Sequence, residues 1–292
     1  MYRSLADAIS DAESQGKSLS EIALQRESED QAKPVEDIRN SLRRALEIMQ
    51  GAIGEGATGD LRSASGLVGG DAAKLFNNAA GPLADTVFRD ILARALAVQE
   101  VNAAMGVIVA APTAGGAGTL PAVLTGLAKS RGIPDEKVID ALATAGLVGA
   151  VIAERASLSG AEGGCQAETG AGAAMAAAAA TEMLGGTPSQ AGHAVALTMQ
   201  GMLGLVCDPL GGLVELPCVF RNATGAAIAM AGIEMALAGI TFAIPADEVI
   251  DVMGEIGREM DVRYKETAGG GLAATPTGRK LAKERLYQIR RS

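Results

Sequence analysis

The chain is almost without aromatic rings: four Phe, three Tyr and no Trp stand against 38 Gly in 292 residues. An interior that lacks large rings has to be filled by Ala, Leu, Ile, Val and the eleven Met. Side chains this small let helix axes approach closely, which favours helix-on-helix packing over a ring-filled β-sandwich. Hydrophobic residues make up 48% of the chain, enough for a sizeable core in a protein of this length. So many glycines do not fit harmlessly inside helices. They are expected at helix ends, in turns and where backbones approach one another.

The hydrophobic period agrees with a helical fold. Pro34 to Ile53 places Ile38, Leu42, Ala45, Leu46 and Met49 on one face, and Leu83 to Val101 repeats the pattern. Pro134-Asp135-Glu136 reads as a helix start, with proline in the first turn and acids at the positive end of the dipole, running to about Arg155. Gly170 to Leu184, Pro188 to Leu203, Asn222 to Ile240, Ala246 to Met260 and Gly278 to Arg290 complete the predicted helices. The best β-branched run, Val107-Ile108-Val109, is short. No repeat or Pro/Ser-rich linker divides the chain. The expected architecture is all-α, a single compact multi-helix domain over 34–292 preceded by a looser, charged N-terminal arm, 1–33.

The formal net charge of −9 repels polyanions, which argues against nucleic acid as a partner. Basic residues at the C-terminus (Arg279, Lys280, Lys283, Arg285, Arg290, Arg291) read as a solvated helix face. The N-terminal stretch has no apolar h-region, and Asp140, Glu154, Glu182 and Glu234 interrupt the apolar runs before they reach membrane-spanning length. The expectation is a soluble, cytoplasmic protein without membrane attachment. In that compartment an odd number of cysteines does not make a disulfide framework.

Between the helices lie five glycine-rich, polar segments: Ala64 to Lys74, Ala111 to Pro121, Ser159 to Gly170, Cys207 to Cys218 and Lys265 to Gly278. Such loops can aim many backbone N–H groups at one small anionic ligand, and five are more than connection requires. The only cysteines, Cys165, Cys207 and Cys218, all fall within them. There is no CxxC pair, so neither a zinc-finger nor a ferredoxin pattern fits. The spacing leaves two readings open. Free cysteines are commonly buried as small apolar groups. Alternatively, three thiolates on one cubane cluster would leave an iron open, suited to Lewis-acid removal of a hydroxyl.

At these residues the sequence resembles a known family. SGAEGGCQAETG (Ser159 to Gly170) and CDPLGGLVELPCVFRN (Cys207 to Asn222), with SGLVGGDAAK, APTAGGAGTLP and YKETAGGGLAATPTG, resemble the alpha subunit of bacterial iron–sulfur-dependent L-serine dehydratase over about residues 35–280. The resemblance implies an all-helical catalytic domain with a 4Fe–4S cluster on Cys165, Cys207 and Cys218 and no pyridoxal phosphate. Its open iron would act as Lewis acid for the hydroxyl of L-serine, which is converted to pyruvate and ammonia. Single-chain members carry a fused beta domain and a cysteine near the C-terminus, whereas this chain ends in RLYQIRRS. It is therefore expected to be the separate alpha subunit, working with a beta subunit in an oligomer. A cluster-dependent L-cysteine desulfidase and a non-catalytic, zinc-binding assembly subunit are the alternative expectations.

Other polar residues are weighed against bland roles. Ser63, Ser65, Gly66 and Asp71, in and beside a glycine turn, are candidate substrate-binding residues, as are Thr113 and Asn222. Asn222 and its neighbour Arg221 could hydrogen-bond the cluster or substrate, or cap a helix. No Gly-Lys-Ser/Thr follows Thr113, so a nucleotide loop is not indicated. His193, the one histidine, would suit a general base but sits on a predicted helix, where packing is the rival role. Lys265, with Glu266, is a candidate proton carrier or carboxylate ligand, or else a solvated pair.

Overall fold

A computed structural model describes residues 2–78, 81 and 86–289. Thirteen α-helices are present among them: α1 Leu5–Gln15, α2 Leu19–Gln31, α3 Val35–Gly56, α4 Asp71–Asn77, α5 Thr86–Ala103, α6 Thr119–Arg131, α7 Asp135–Arg155, α8 Gly160–Gly163, α9 Ala171–Met183, α10 Pro188–Met199, α11 Cys218–Leu237, α12 Ala246–Glu259 and α13 Pro276–Ile289. The architecture is all-α, as the hydrophobic period predicts. Val107-Ile108-Val109 forms no strand, and the only β-type pairing among the described residues is an isolated bridge between Cys207 and Lys265.

Local chemistry accounts for several helix starts. Ser18 accepts from the backbone N–H of Glu21 while Glu21 reaches back to the Ser18 N–H, and Thr187 with Gln190 repeats this reciprocal cap on α10. Asp135 and Glu136 open α7 beside its positive end. The alanine-rich α9 is the central post, buried from Ala171 to Thr181 and packed against α6, α7, α10 and α11. Its methyl side chains are what permit four neighbours around one helix. The same closeness appears between α10 and α11, where a Cβ on Gly232 would lie 2.0 Å from Thr198 Oγ1.

Within residues 2–33 the chain forms α1 and α2. Leu5, Ala8 and Ala12 of α1 and Leu19 and Ile22 of α2 enter the main core. Both helices are tied down at their N-termini by carboxylates from the core. Asp247 on α12 accepts from Leu5 N (2.8 Å) and Ala6 N (3.0 Å), while Glu182 on α9 accepts from Leu19 N (2.7 Å) and the Thr144 hydroxyl (3.0 Å). The sequence does not reveal this, because each cap lies more than a hundred residues away. Asp247→Ala is expected to cost about 1–2 kcal/mol through lost capping and dipole stabilisation. Urea unfolding checks this, and an unchanged midpoint would show that α1 is held by its apolar face alone.

Further departures are local. The segments 64–74 and 111–121, read as loops, supply the starts of α4 and α6. The helix expected from Asn222 begins four residues earlier, so Cys218 opens α11 instead of closing a loop. The helix expected from Leu83 is described from Thr86, its earlier residues lying outside the described set. Arg279, Lys280 and Lys283 of α13 are exposed, and Arg290 and Arg291 lie outside the described residues. No described helix is long and apolar enough to cross a membrane.

Candidate metal and substrate site

Three separate stretches bring the cysteines inward. After Gly163-Gly164 the chain enters a single π-helical stretch, Gln166–Gly170, that runs into α9. Such wider turns recur at functional sites. This turn carries Cys165 at its start and Glu168 within it, both buried. Cys207 is held from the opposite side by backbone pairing: its N–H donates to Tyr264 O (2.8 Å) and its carbonyl accepts from Glu266 N (2.8 Å). Cys218 sits in the first turn of α11 after a cis Leu216–Pro217 bond. All three cysteines are free and at most 3% exposed.

Cys165 Sγ, Cys207 Sγ and a Glu168 carboxylate oxygen lie within 4.8 Å of one another, a group able to hold a metal. Cys218 is not part of that tight group. Glycines form the wall around the carboxylate: a Cβ on Gly160 would stand 2.7 Å from Glu168 Oε2 and 3.1 Å from Cys207 Sγ, and one on Gly115 2.9 Å from the same oxygen. Glu168 Oε1 accepts from Thr113 Oγ1 at 2.6 Å, and its Oε2 lies 3.9 Å from Cys207 Sγ. Burial pushes the Glu168 carboxyl above its usual range, against the opposing hydrogen bond from Thr113.

Arg221, one turn into α11, supplies the positive charge. Its Nη1 lies 3.6 Å from Cys165 Sγ and donates to Val206 O at 2.8 Å, while Nη2 lies 2.7 Å from Asp208 Oδ1. Asp208 also accepts from Leu272 N at 2.6 Å, which fastens the late glycine-rich segment to the cysteine loop. The Cys165 thiol is lowered by a hydrogen bond from Cys207 and by the Arg221 charge, with burial opposing. Cys207 is raised, chiefly by that same pairing and by burial, and Cys218 is raised chiefly by burial. Polarising one thiol towards thiolate beside a guanidinium is what a metal-binding cysteine requires.

The other residues singled out from sequence are distributed around this centre. Thr113 is in it, through Glu168. Asn222, fully buried, accepts from Gly118 N (2.9 Å) and donates to Gly115 O (2.7 Å) and Cys218 O (2.9 Å), so it joins the 111–118 loop to the cysteine-bearing helix and touches no thiol directly. Ser65 is buried against Glu215, to which it gives both its backbone N–H (3.1 Å) and its hydroxyl. Ser63 accepts from Val68 N (3.2 Å) within its own turn, and Gly66, at φ 71°, makes that turn. Asp71 pairs with Lys74 at 2.6 Å at the start of α4, whose first N–H groups converge on the buried Glu100. Lys265 has its backbone beside Cys207, and its Nζ points to Arg258 O at 3.4 Å. His193, on α10, accepts at Nδ1 from Phe242 N at 3.4 Å.

Glu168 and Asp208 are absent from the sequence-derived candidates. A signal was present for each. Glu168 follows Cys165 by three residues, which on a helical turn faces the same way, and Asp208 is the residue after Cys207.

The chain is similar to known proteins over most of its length. The family described as serine dehydratase alpha chain matches residues 14–273. A probable L-serine dehydratase alpha chain from Bacillus subtilis (strain 168) is 47% identical over 97% of this chain and 95% of its own length. The L-serine dehydratase alpha chain of Peptoniphilus asaccharolyticus is 38% identical over 99% of both chains. The L-serine dehydratase TdcG of Escherichia coli (strain K12) is 45% identical over 61% of this chain but only 40% of its own length. With a family match over residues 14–273 and relatives 47% and 38% identical over nearly its whole length, the chain belongs to the serine dehydratase alpha-chain family.

Proposed function

We propose that this chain is the alpha subunit of an L-serine dehydratase, a lyase that converts L-serine to pyruvate and ammonia. The observation that carries the reading is the gathering of Cys165, Cys207 and Cys218 from distant segments into one buried region, in a chain similar end to end to the Bacillus subtilis alpha chain.

The donor set fits a 4Fe–4S cluster on the three cysteines. They are free, buried and flanked by Gly and Pro, and Arg221 offsets part of the thiolate charge. Cys165, Cys207 and Cys218 would hold such a cluster through their thiolates. When bound, the cluster supplies a Lewis-acidic iron for the substrate hydroxyl. The chain's own residues frame that site. Glycines at 115 and 160 let backbone close around the site, Thr113 orients Glu168, and Arg221 with Asp208 holds the Cys207 loop against α11. A beta subunit is the expected partner, in an oligomer, and the unpaired thiols suit a reducing cytoplasm.

One observation favours a second reading. Two thiols and a carboxylate within 4.8 Å also suit a single ion such as zinc. Anaerobic purification followed by iron and acid-labile sulfide determination separates the two. About four of each per chain, with pyruvate formed from L-serine, is the expected result. One zinc without sulfide, even after reconstitution with iron and sulfide, would establish the single-ion site instead.

A further inference from the structure

Glu168 is more than nine-tenths buried, yet no Lys, Arg or His pairs with it among the described residues. Its polar neighbours are the Thr113 hydroxyl and the Cys207 and Cys165 thiols. The basic group of the site, Arg221, is occupied by Asp208, Val206 O and Cys165. A buried carboxylate without a cation is costly, and proteins keep such a group where a ligand completes it. A Cβ at Gly115 would stand 2.9 Å and one at Gly160 2.7 Å from Glu168 Oε2, so either substitution would displace this carboxyl group from its place. Glycine at both positions therefore frames this carboxyl group in the wall of the site.

We infer that Glu168, oriented by Thr113, receives the α-ammonium group of the substrate and so selects amino acids over hydroxy acids of the same length. The inference rests on the serine reading above. L-Serine has three polar groups. Its hydroxyl belongs at the reacting centre, and its carboxylate needs donors. Only its ammonium, a cation with three N–H donors, matches the two acceptor oxygens of an unpaired carboxylate. β-Hydroxypropionate, which is serine without the amino group, would leave Glu168 unsatisfied, and a site built for a buried polar partner rejects the analogue that lacks it.

The test is an anaerobic titration of the cluster's absorption spectrum in the assembled enzyme, with L-serine and with β-hydroxypropionate, for wild type and Glu168→Gln. The amide keeps the shape and can still accept from Thr113, but it loses the charge. The expected result is full iron and sulfide content, serine binding weakened about tenfold or more, and β-hydroxypropionate binding changed by less than about twofold. Loss of the cluster in Glu168→Gln would make Glu168 a metal ligand and overturn the inference. Equal weakening of both compounds would reduce it to a wall residue, and unchanged serine affinity would also refute it. Should Glu168→Gln fail to fold, Thr113→Val removes the orienting hydroxyl and is expected to weaken serine selectively by a smaller factor; no selective loss there refutes the inference. Failure of the underlying reading looks different: the wild-type enzyme itself would then neither turn over serine nor respond to it spectrally.

Discussion

Cys207→Ser is expected to remove both the cluster absorption and serine turnover, with pyruvate formation falling at least about a thousandfold, since the residual rate would depend on substrate binding alone. Cys207 is the best test of the three because its backbone is fixed independently of its side chain, through the pairings with Tyr264 O and Glu266 N. A serine there keeps the volume and the loop, and loses only the soft ligand. The fold should consequently persist, which circular dichroism and urea unfolding of the metal-free proteins can verify. Cys165→Ser and Cys218→Ser should give the same loss. A full complement of iron and sulfide in any one variant would remove that cysteine from the ligand set. For Cys218, which stands apart from the tight group of Cys165, Cys207 and Glu168, this is the sharper question.

Arg221→Met is expected to destabilise the protein by about 3–5 kcal/mol, the cost of stranding a buried charge after its partner is removed. Asp208 has a side chain only 3% exposed and would keep a single strong donor, Leu272 N. The methionine preserves most of the volume of Arg221, so cavity formation is a minor contribution. Damage should spread to the cluster, because the same guanidinium contacts Cys165 and the carbonyl just before Cys207. The double variant Arg221→Met/Asp208→Asn separates the causes. Neutralising Asp208 while retaining an acceptor for Leu272 N should recover a large part of the stability but not the lowered Cys165 thiol. Urea unfolding of the two single variants and the double variant provides the comparison. If the double variant is no more stable than Arg221→Met, Asp208 is not the stranded charge and the destabilisation has another origin.

These effects concern groups that a linear reading sees only in part. The three cysteines stood out because each lies among glycines and prolines, and Thr113 because it opens a glycine-rich loop. Glu168 did not, since an acid in a polar, glycine-rich segment looks like any solvated residue until the π-helical turn carries it inward. Ser65 and Asp71 read as free polar groups in a loop. Folded, Ser65 is committed to Glu215 and Asp71 to Lys74.

The sequence by itself determined the helical class. Apolar residues recur at the helical period, proline marks helix starts at Pro134, where two acids follow it, and at Pro188, and a lack of rings leaves small side chains to fill the core. These signals are local, operating within one or two turns, so they survive without knowledge of the partner segment. The tertiary structure alone decided which distant groups meet: Asp247 and Glu182 at the N-termini of α1 and α2, Asp208 with Arg221, and Glu168 between Thr113 and Cys207. Each of these pairs a buried charge or dipole with a group supplied by another element. The cost of burying it is set by the whole packed environment, and no stretch of local sequence encodes that environment.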